Sequence, residues 1–208
     1  MGIDQKRYEK YWDKIQTERF GSQYAGARIK KLDWNKTQID VLLHWMKNPF
    51  RMLVMYGTVG TSKTYPMAAM IPWVEQRGCE VKGSDGRISK MPADYRVYRE
   101  YDLFSKVRMQ MSEAGSHDYQ AYVNHLCDCD VFFYDDLGKM QGTGFQKEVQ
   151  TAFLDSRYNS EKPTIITTNL YPNTAKEALG EAAYSRLFSR ENTLIRLDGE
   201  DRRNPLTE

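Results

Sequence analysis

Met52-Leu53-Val54-Met55-Tyr56 runs without a break into Gly57-Thr58-Val59-Gly60-Thr61-Ser62-Lys63-Thr64, and this junction decides the fold. The apolar run has no polar alternation, the pattern of a strand buried on both faces of a parallel sheet. The eight residues after it have the composition of a loop that turns backbone N–H groups around an anionic phosphate chain. A following helix adds the positive end of its dipole, Lys63 adds a mobile point charge, and Thr64 places a hydroxyl where Mg²⁺ would sit. Gly57, Thr58, Val59, Gly60, Thr61, Ser62, Lys63 and Thr64 are therefore the candidate nucleotide-binding residues. A chance Gly/Thr-rich turn is the bland alternative, and the strand before and the helical segment after argue against it. One departure stands out: Ser62 occupies the place where the usual spacing has Gly, and its Cβ is expected to crowd the phosphates and slow hydrolysis. In the helix that follows, Pro66 is tolerable near the first turn, whereas Pro72 should kink or shorten it.

Apolar runs recur at residues 131–134, 164–168 and 194–197, separated by helical patterns at 101–111, 119–126 and 146–158. Strand and helix alternating in this way predict an α/β protein, a parallel sheet sandwiched between helices. The second run ends in Asp135-Asp136. Carboxylates there are costly unless they work at the strand's carboxyl end. Asp135 suits magnesium coordination and Asp136 suits orienting or deprotonating an attacking water. The third run ends in Asn169, whose amide would hold the same water, although an Asn after a strand is by itself a common turn residue.

Hydrophobic residues make up 40% of the 208-residue chain and charged residues 28%, a composition that excludes a disordered chain. No apolar run approaches the roughly 20 residues needed to span a bilayer, and the first residues are not signal-like, so a cytoplasmic protein without membrane contact is expected. Cys79, Cys127 and Cys129 form no disulfide framework and read as free thiols. Cys127 and Cys129 form a tight cluster with His125 that suggests metal, but three ligands without a second pair argue against zinc. The net charge of +2 is unevenly spread, with 11 Lys/Arg against 6 Asp/Glu in residues 1–51. Such a basic segment is a solvated face or a contact with an acidic partner.

Residues 4–20 place Tyr8, Tyr11, Trp12 and Ile15 at helical spacing, an amphipathic helix whose stripe needs a covering surface. Residues 22–31 read as a linker, and Asn35 caps a second helix bearing Ile39, Leu42, Leu43, Trp45 and Met46 that Pro49 ends. Residues 82–94, rich in Gly, Ser, Asp and Pro, read as a flexible surface loop. The expected organisation is an N-terminal helix over 1–21, available for partner docking, followed by an ATPase domain over 22–208.

Taken together, residues 22–203 resemble the AAA+ ATPases of the DnaC/DnaI helicase-loader and IstB transposition-helper kind. The most specific pieces are Asp135-Asp136-Leu137-Gly138, Asp155-Ser156-Arg157-Tyr158 and Pro163-Thr164-Ile165-Ile166-Thr167-Thr168-Asn169-Leu170. Most other AAA+ proteins carry Asp-Glu where this chain has Asp135-Asp136. The resemblance implies an ATP-dependent and Mg²⁺-dependent ATPase, with Lys63 and Thr64 in Walker A, Asp135 and Asp136 in Walker B, and Asn169 as sensor 1. It implies that Arg186, in Ser185-Arg186-Leu187, reaches the nucleotide of a neighbouring copy in a homo-oligomer, with Arg190 as its rival. It also implies contact with single-stranded DNA through residues 101–126, where Lys106 and Arg108 would meet phosphates, and a replicative helicase as partner. The loaders carry a separate N-terminal helicase-binding domain, and here only about 45 residues precede the core. The helix bearing Tyr8 to Ile15 is expected to take over docking.

Three other readings use the same residues. An IstB-like transposition helper differs in its partner, a transposase. A nucleotide-gated adaptor with negligible turnover is suggested by Ser62 and Asp136. A small-molecule kinase leaves Asn169 and Arg186 without roles.

Overall fold

The computed structural model describes residues 2–82, 88–114, 119–140 and 143–200. In chain order the elements are α1 (Gly2–Phe20), α2 (Lys36–Lys47), β1 (Met52–Tyr56), α3 (Thr64–Ala69), α4 (Ile71–Gln76), β2 (Gly78–Lys82), β3 (Ile88–Pro92), β4 (Tyr95–Arg99), α5 (Glu100–Ala114), α6 (Tyr119–Cys127), β5 (Val131–Leu137), α7 (Gly144–Asn159), β6 (Thr164–Thr168), α8 (Pro172–Leu179), α9 (Glu181–Leu187) and β7 (Thr193–Arg196). They group into two compact units, residues 1–33 with 64–95, and residues 34–63 with 96–208.

In the first unit α1 forms as expected, but its stripe lies differently. Tyr8 and Tyr11 are 59% and 49% exposed, and the fully buried positions are Gln16 and Phe20. A buried amide needs partners, and Gln16 Nε2 donates to the carbonyls of Ala27 at 2.9 Å and Ala68 at 3.0 Å. Residues 22–31 are not a loose linker. They form two 3-10 turns, Ser22–Tyr24 and Ile29–Lys31, pinned to α1 because Asp13 accepts from Arg28 at 2.8 Å and from the Gly26 N–H at 3.1 Å. The prolines act as their chemistry dictates. The helix breaks at Met70, and Pro72 falls in the first turn of α4, where its missing N–H is no loss. The loop expected over 82–94 is instead an antiparallel hairpin, with Gly78 opposite Pro92 and Lys82 opposite Ile88. Residues 83–87 lie outside the described residues, and a composition rich in Gly, Ser, Asp and Pro had concealed the flanking strands.

The second unit holds a five-stranded parallel sheet in the order β4-β5-β6-β1-β7. Both of its faces are apolar, as the unbroken runs predicted. Met52, Val54, Phe132, Tyr134 and Ile166 enter one core cluster with residues of α5, α6, α7, α8 and α9. Leu53, Met55, Phe133 and Ile165 alternate with them and are fully buried. Phe153 of α7 meets the edges of Phe132 and Tyr134 at 4.7 and 4.9 Å. Asn35 and Thr143 cap α2 and α7 through reciprocal boxes with Gln38 and Gln146. The helices α8 and α9 escaped the sequence reading because they are short and divided by Gly180. The strand β4 escaped it because an edge strand is only partly buried.

Arg157 of α7 is fully buried. Its guanidinium donates to the carbonyls of Cys127 at 2.7 Å, Cys129 at 2.8 Å and Pro163 at 2.5 Å, and to Thr164 Oγ1 at 2.8 Å. It thereby ties the entries of β5 and β6, and burial lowers its pKa. The same burial pushes the Cys127 thiol up to about 12. Replacing Arg157 with Met strands three carbonyls and a hydroxyl. Urea denaturation should show a loss of about 3 kcal/mol or more for Arg157→Met, whereas the half-exposed ion pair of Arg186 is worth under about 1 kcal/mol in an Arg186→Ala variant.

Candidate nucleotide site

Three neighbouring parallel strands deliver the candidate residues to one end of the sheet. Tyr56 of β1 lies level with Thr168 of β6, and Leu137 of β5 is also level with Thr168. The loop from Gly57, the Asp135-Asp136 pair and Asn169 therefore all sit at strand carboxyl ends, where ligands of open α/β sheets bind.

The loop's geometry explains its residues. A Cβ on Gly57 would stand 2.0 Å from the Leu197 carbonyl, so only glycine fits there. Ser62 adopts φ 58°, the left-handed region that the glycine of the usual spacing would occupy freely. The loop thus keeps its path at Ser62 and carries backbone strain there. Lys63 is 6% exposed, and its ammonium donates back to the carbonyls of Gly57 at 2.9 Å and Thr58 at 2.5 Å and to Thr61 Oγ1 at 3.3 Å. Thr61 Oγ1 donates to Thr58 O at 2.9 Å, Val59 is 58% exposed, Gly60 has φ 83°, and Thr64 opens α3.

The carboxylate pair, expected at the end of the strand, lies within it. Strand β5 continues to Leu137 through a bulge: Tyr134 pairs with Ile166 and Leu137 with Thr168, so Asp135 and Asp136 together face Thr167. Thr167 Oγ1 donates to Asp135 Oδ1 at 2.6 Å and accepts from the Asp136 N–H at 2.8 Å. Asp135 is 2% exposed, and Asp136 takes φ 61°, a conformation aspartate tolerates better than most residues. Its carboxylate pairs with Lys139 at 3.0 Å. The turn that presents Lys139 is held from below by Glu100, which accepts from the N–H groups of Gly138 at 2.6 Å and Met140 at 2.7 Å and from Gln150. Burial of Glu100 raises its pKa, against the pull of those N–H bonds.

Asn169 follows β6 directly, and among the described residues no group hydrogen-bonds its side chain. The arginines divide. Arg186 donates to Asp155 at 2.7 Å and lies over the Tyr158 ring at 5.4 Å, while Arg190 is exposed and makes no ion pair among the described residues. On α5, exposed Lys106 and Arg108 lie over Tyr98 and Phe145 at 5.9 Å each. Cys129 Sγ donates to the Val131 carbonyl at 3.3 Å, and among the described residues no cluster of His, Cys, Asp and Glu has metal-binding geometry. Thr167 and Glu100 were missed in the sequence. Two consecutive threonines in a buried strand were a readable signal, since their hydroxyls demand partners, but nothing local distinguishes Glu100.

Two outcomes follow from this geometry. Thermal melts should rank Ser62→Gly at or above the wild type and Ser62→Val below it by about 1–2 kcal/mol, because a β-branched residue resists positive φ. The folded-state pKa of Glu100 lies above its ordinary 4.5, so its protonated form contributes stability that is present below that value and is lost as pH rises through the folded pKa. The stability of the wild type relative to Glu100→Gln, from denaturant titrations, should therefore fall as pH rises above that ordinary value.

No protein-family model matches the chain, and no curated protein is similar to it in sequence. Solved structures are similar. The DnaC helicase loader superposes with a TM-score of 0.64 at 18% identity, over 84% of this chain and 98% of that one. The replication initiator DnaA bound to AMPPCP and single-stranded DNA gives 0.63 at 16% identity, over 84% of this chain, which spans only 50% of the initiator's length. A primosome component of Streptococcus pyogenes serotype M3 gives 0.57 at 17% identity, over 89% and 94%. No helix among the described residues is long and apolar enough to cross a membrane. The chain thus has an α/β fold with a parallel sheet between helices, the fold of the helicase loader DnaC and the replication initiator DnaA.

Proposed function

We propose that the chain is a Mg²⁺-dependent ATPase of DNA replication that delivers a replicative helicase onto single-stranded DNA. The observation that carries this reading is the convergence of the Lys63 loop, the Thr167-held Asp135-Asp136 pair and Asn169 on adjacent strand ends. The superposition over nearly the whole of the DnaC loader supports the choice of process.

In this reading the N–H groups of residues 57–63 cradle the phosphates and Lys63 leaves its loop carbonyls for phosphate oxygens. The Lys63 ammonium on the loop and the buried carboxylate of Asp135 fit a magnesium nucleotide. Thr64 and Asp135 would hold Mg²⁺, which supplies charge neutralisation on the phosphates. Asp136 accepts the proton of the attacking water and Asn169 orients that water. A neighbouring copy supplies Arg186 or Arg190; Arg190 needs no ion pair broken to do so. Lys106 and Arg108 on α5 contact DNA phosphates, and the exposed Tyr8 and Tyr11 of α1 serve helicase docking.

A second reading, a nucleotide-gated adaptor with little turnover, is favoured by the strained Ser62 and by the Lys139 contact on Asp136. Phosphate release with and without single-stranded DNA separates the two. The ATPase reading expects DNA-stimulated turnover that drops roughly 100-fold or more in Asp136→Asn and DNA affinity that falls with salt. Turnover indistinguishable between wild type and Asp136→Asn would favour the adaptor.

A further inference from the structure

The residues just after β7 are bound to the phosphate loop by more contacts than chain continuation requires. The Leu197 N–H donates to the Tyr56 carbonyl at 2.7 Å. Thr58 Oγ1 donates to the Gly199 carbonyl at 3.1 Å and accepts from the Gly199 N–H at 3.3 Å. Between them stands Asp198, which accepts from the Tyr171 hydroxyl on one oxygen and from Arg196 Nε on the other. The Thr58 backbone N–H lies near it, and the Tyr171 hydroxyl above all, with Arg196, lowers its pKa. Tyr171 lies two residues past Asn169, packs edge-on against Tyr56 at 5.9 Å, and carries the Arg196 guanidinium 5.5 Å above its ring. A carboxylate beside a phosphate site repels the ligand if it acts as a free charge. Here Arg196 offsets that charge, the carboxylate's other bond runs to Tyr171 in the segment after β6, and the backbone beside it is tied to the loop through Gly199 and Thr58.

We infer that Asp198 is a positioning residue for the nucleotide, a tie through which the Asn169–Tyr171 segment and the first turn of the phosphate loop hold one another in place. It touches no reacting atom. It acts by preorganising Thr58, so that the loop does not pay for its ordering when ATP arrives. The tie also gives the tip of β6 a mechanical route to the loop, since any shift of Tyr171 is felt at Thr58 through one side chain. This inference rests on the nucleotide reading above.

The test is a titration of the full chain with a fluorescent ATP analogue and Mg²⁺, for wild type, Asp198→Asn, Tyr171→Phe and the double variant, each with a thermal melt of the nucleotide-free protein. Asp198→Asn should weaken binding roughly 2- to 10-fold, the weight of one hydrogen bond. Tyr171→Phe, which removes only a hydroxyl, should weaken it less. The double variant should match Asp198→Asn alone, because the hydroxyl acts only through the carboxylate. Melting temperatures should stay within a few degrees of wild type, since the pair is exposed. Unchanged affinity in both single variants, additive losses in the double variant, losses that follow the melts alone, or tighter binding by Asp198→Asn would each overturn the inference. Wild-type protein that binds no nucleotide would sink the underlying reading instead, so the two failures are distinguishable.

Discussion

One hydroxyl organises the candidate site. Thr167, fully buried in β6, faces two residues of β5 rather than one, and its Oγ1 donates to the Asp135 carboxylate while accepting from the Asp136 N–H. In a sheet whose strands are apolar on both faces, a carboxylate at this depth is tolerated only with partners of this kind. The bulge it secures throws Asp136 into positive φ, ends the regular ladder and starts the turn that Glu100 holds by the Gly138 and Met140 N–H groups. Thr168 continues the pattern by donating to the Leu137 carbonyl at 2.6 Å. The carboxylates are therefore placed by the neighbouring strand as much as by their own.

Much of this was legible in the chain. Residues 52–56, 131–134 and 164–168 announced themselves because a parallel strand buried on two faces cannot alternate, and they became β1, β5 and β6. The glycine that opens the loop after β1 has a steric reason, the approach of the Leu197 carbonyl to Gly57. What escaped detection depends on distant partners. Arg157 read as part of a family motif, and only the fold shows that its fork closes the entries of β5 and β6. Glu100 carried no signal of its own, and its partners Gly138, Met140 and Gln150 lie about 40 to 50 residues away along the chain. The stretch 82–94 looked like a loop because Gly, Ser, Asp and Pro dominate its composition, yet residues 78–82 and 88–92 pair as β2 and β3.

The charges of the site share a common state. Lys63 bonds to its own loop carbonyls, Asp136 to Lys139, Arg186 to Asp155 and Asp198 to Arg196. The first three are short-range contacts that a phosphate, a water or a neighbouring copy would have to replace, whereas the Asp198 pair stays in place. Lys63 is the most buried of the cations involved, so its exchange carries the largest desolvation change. Ser62, beside it in the left-handed region, makes the loop stiffer to re-form than glycine would.

Calorimetric titration of the wild type and Lys63→Ala with ATP, in the presence and absence of Mg²⁺, tests the central claim most directly. The account predicts saturable binding of one nucleotide per chain, strengthened by Mg²⁺ and weakened at least about tenfold when Lys63 is removed. Absence of binding to the wild type, or equal affinity in Lys63→Ala, would contradict it.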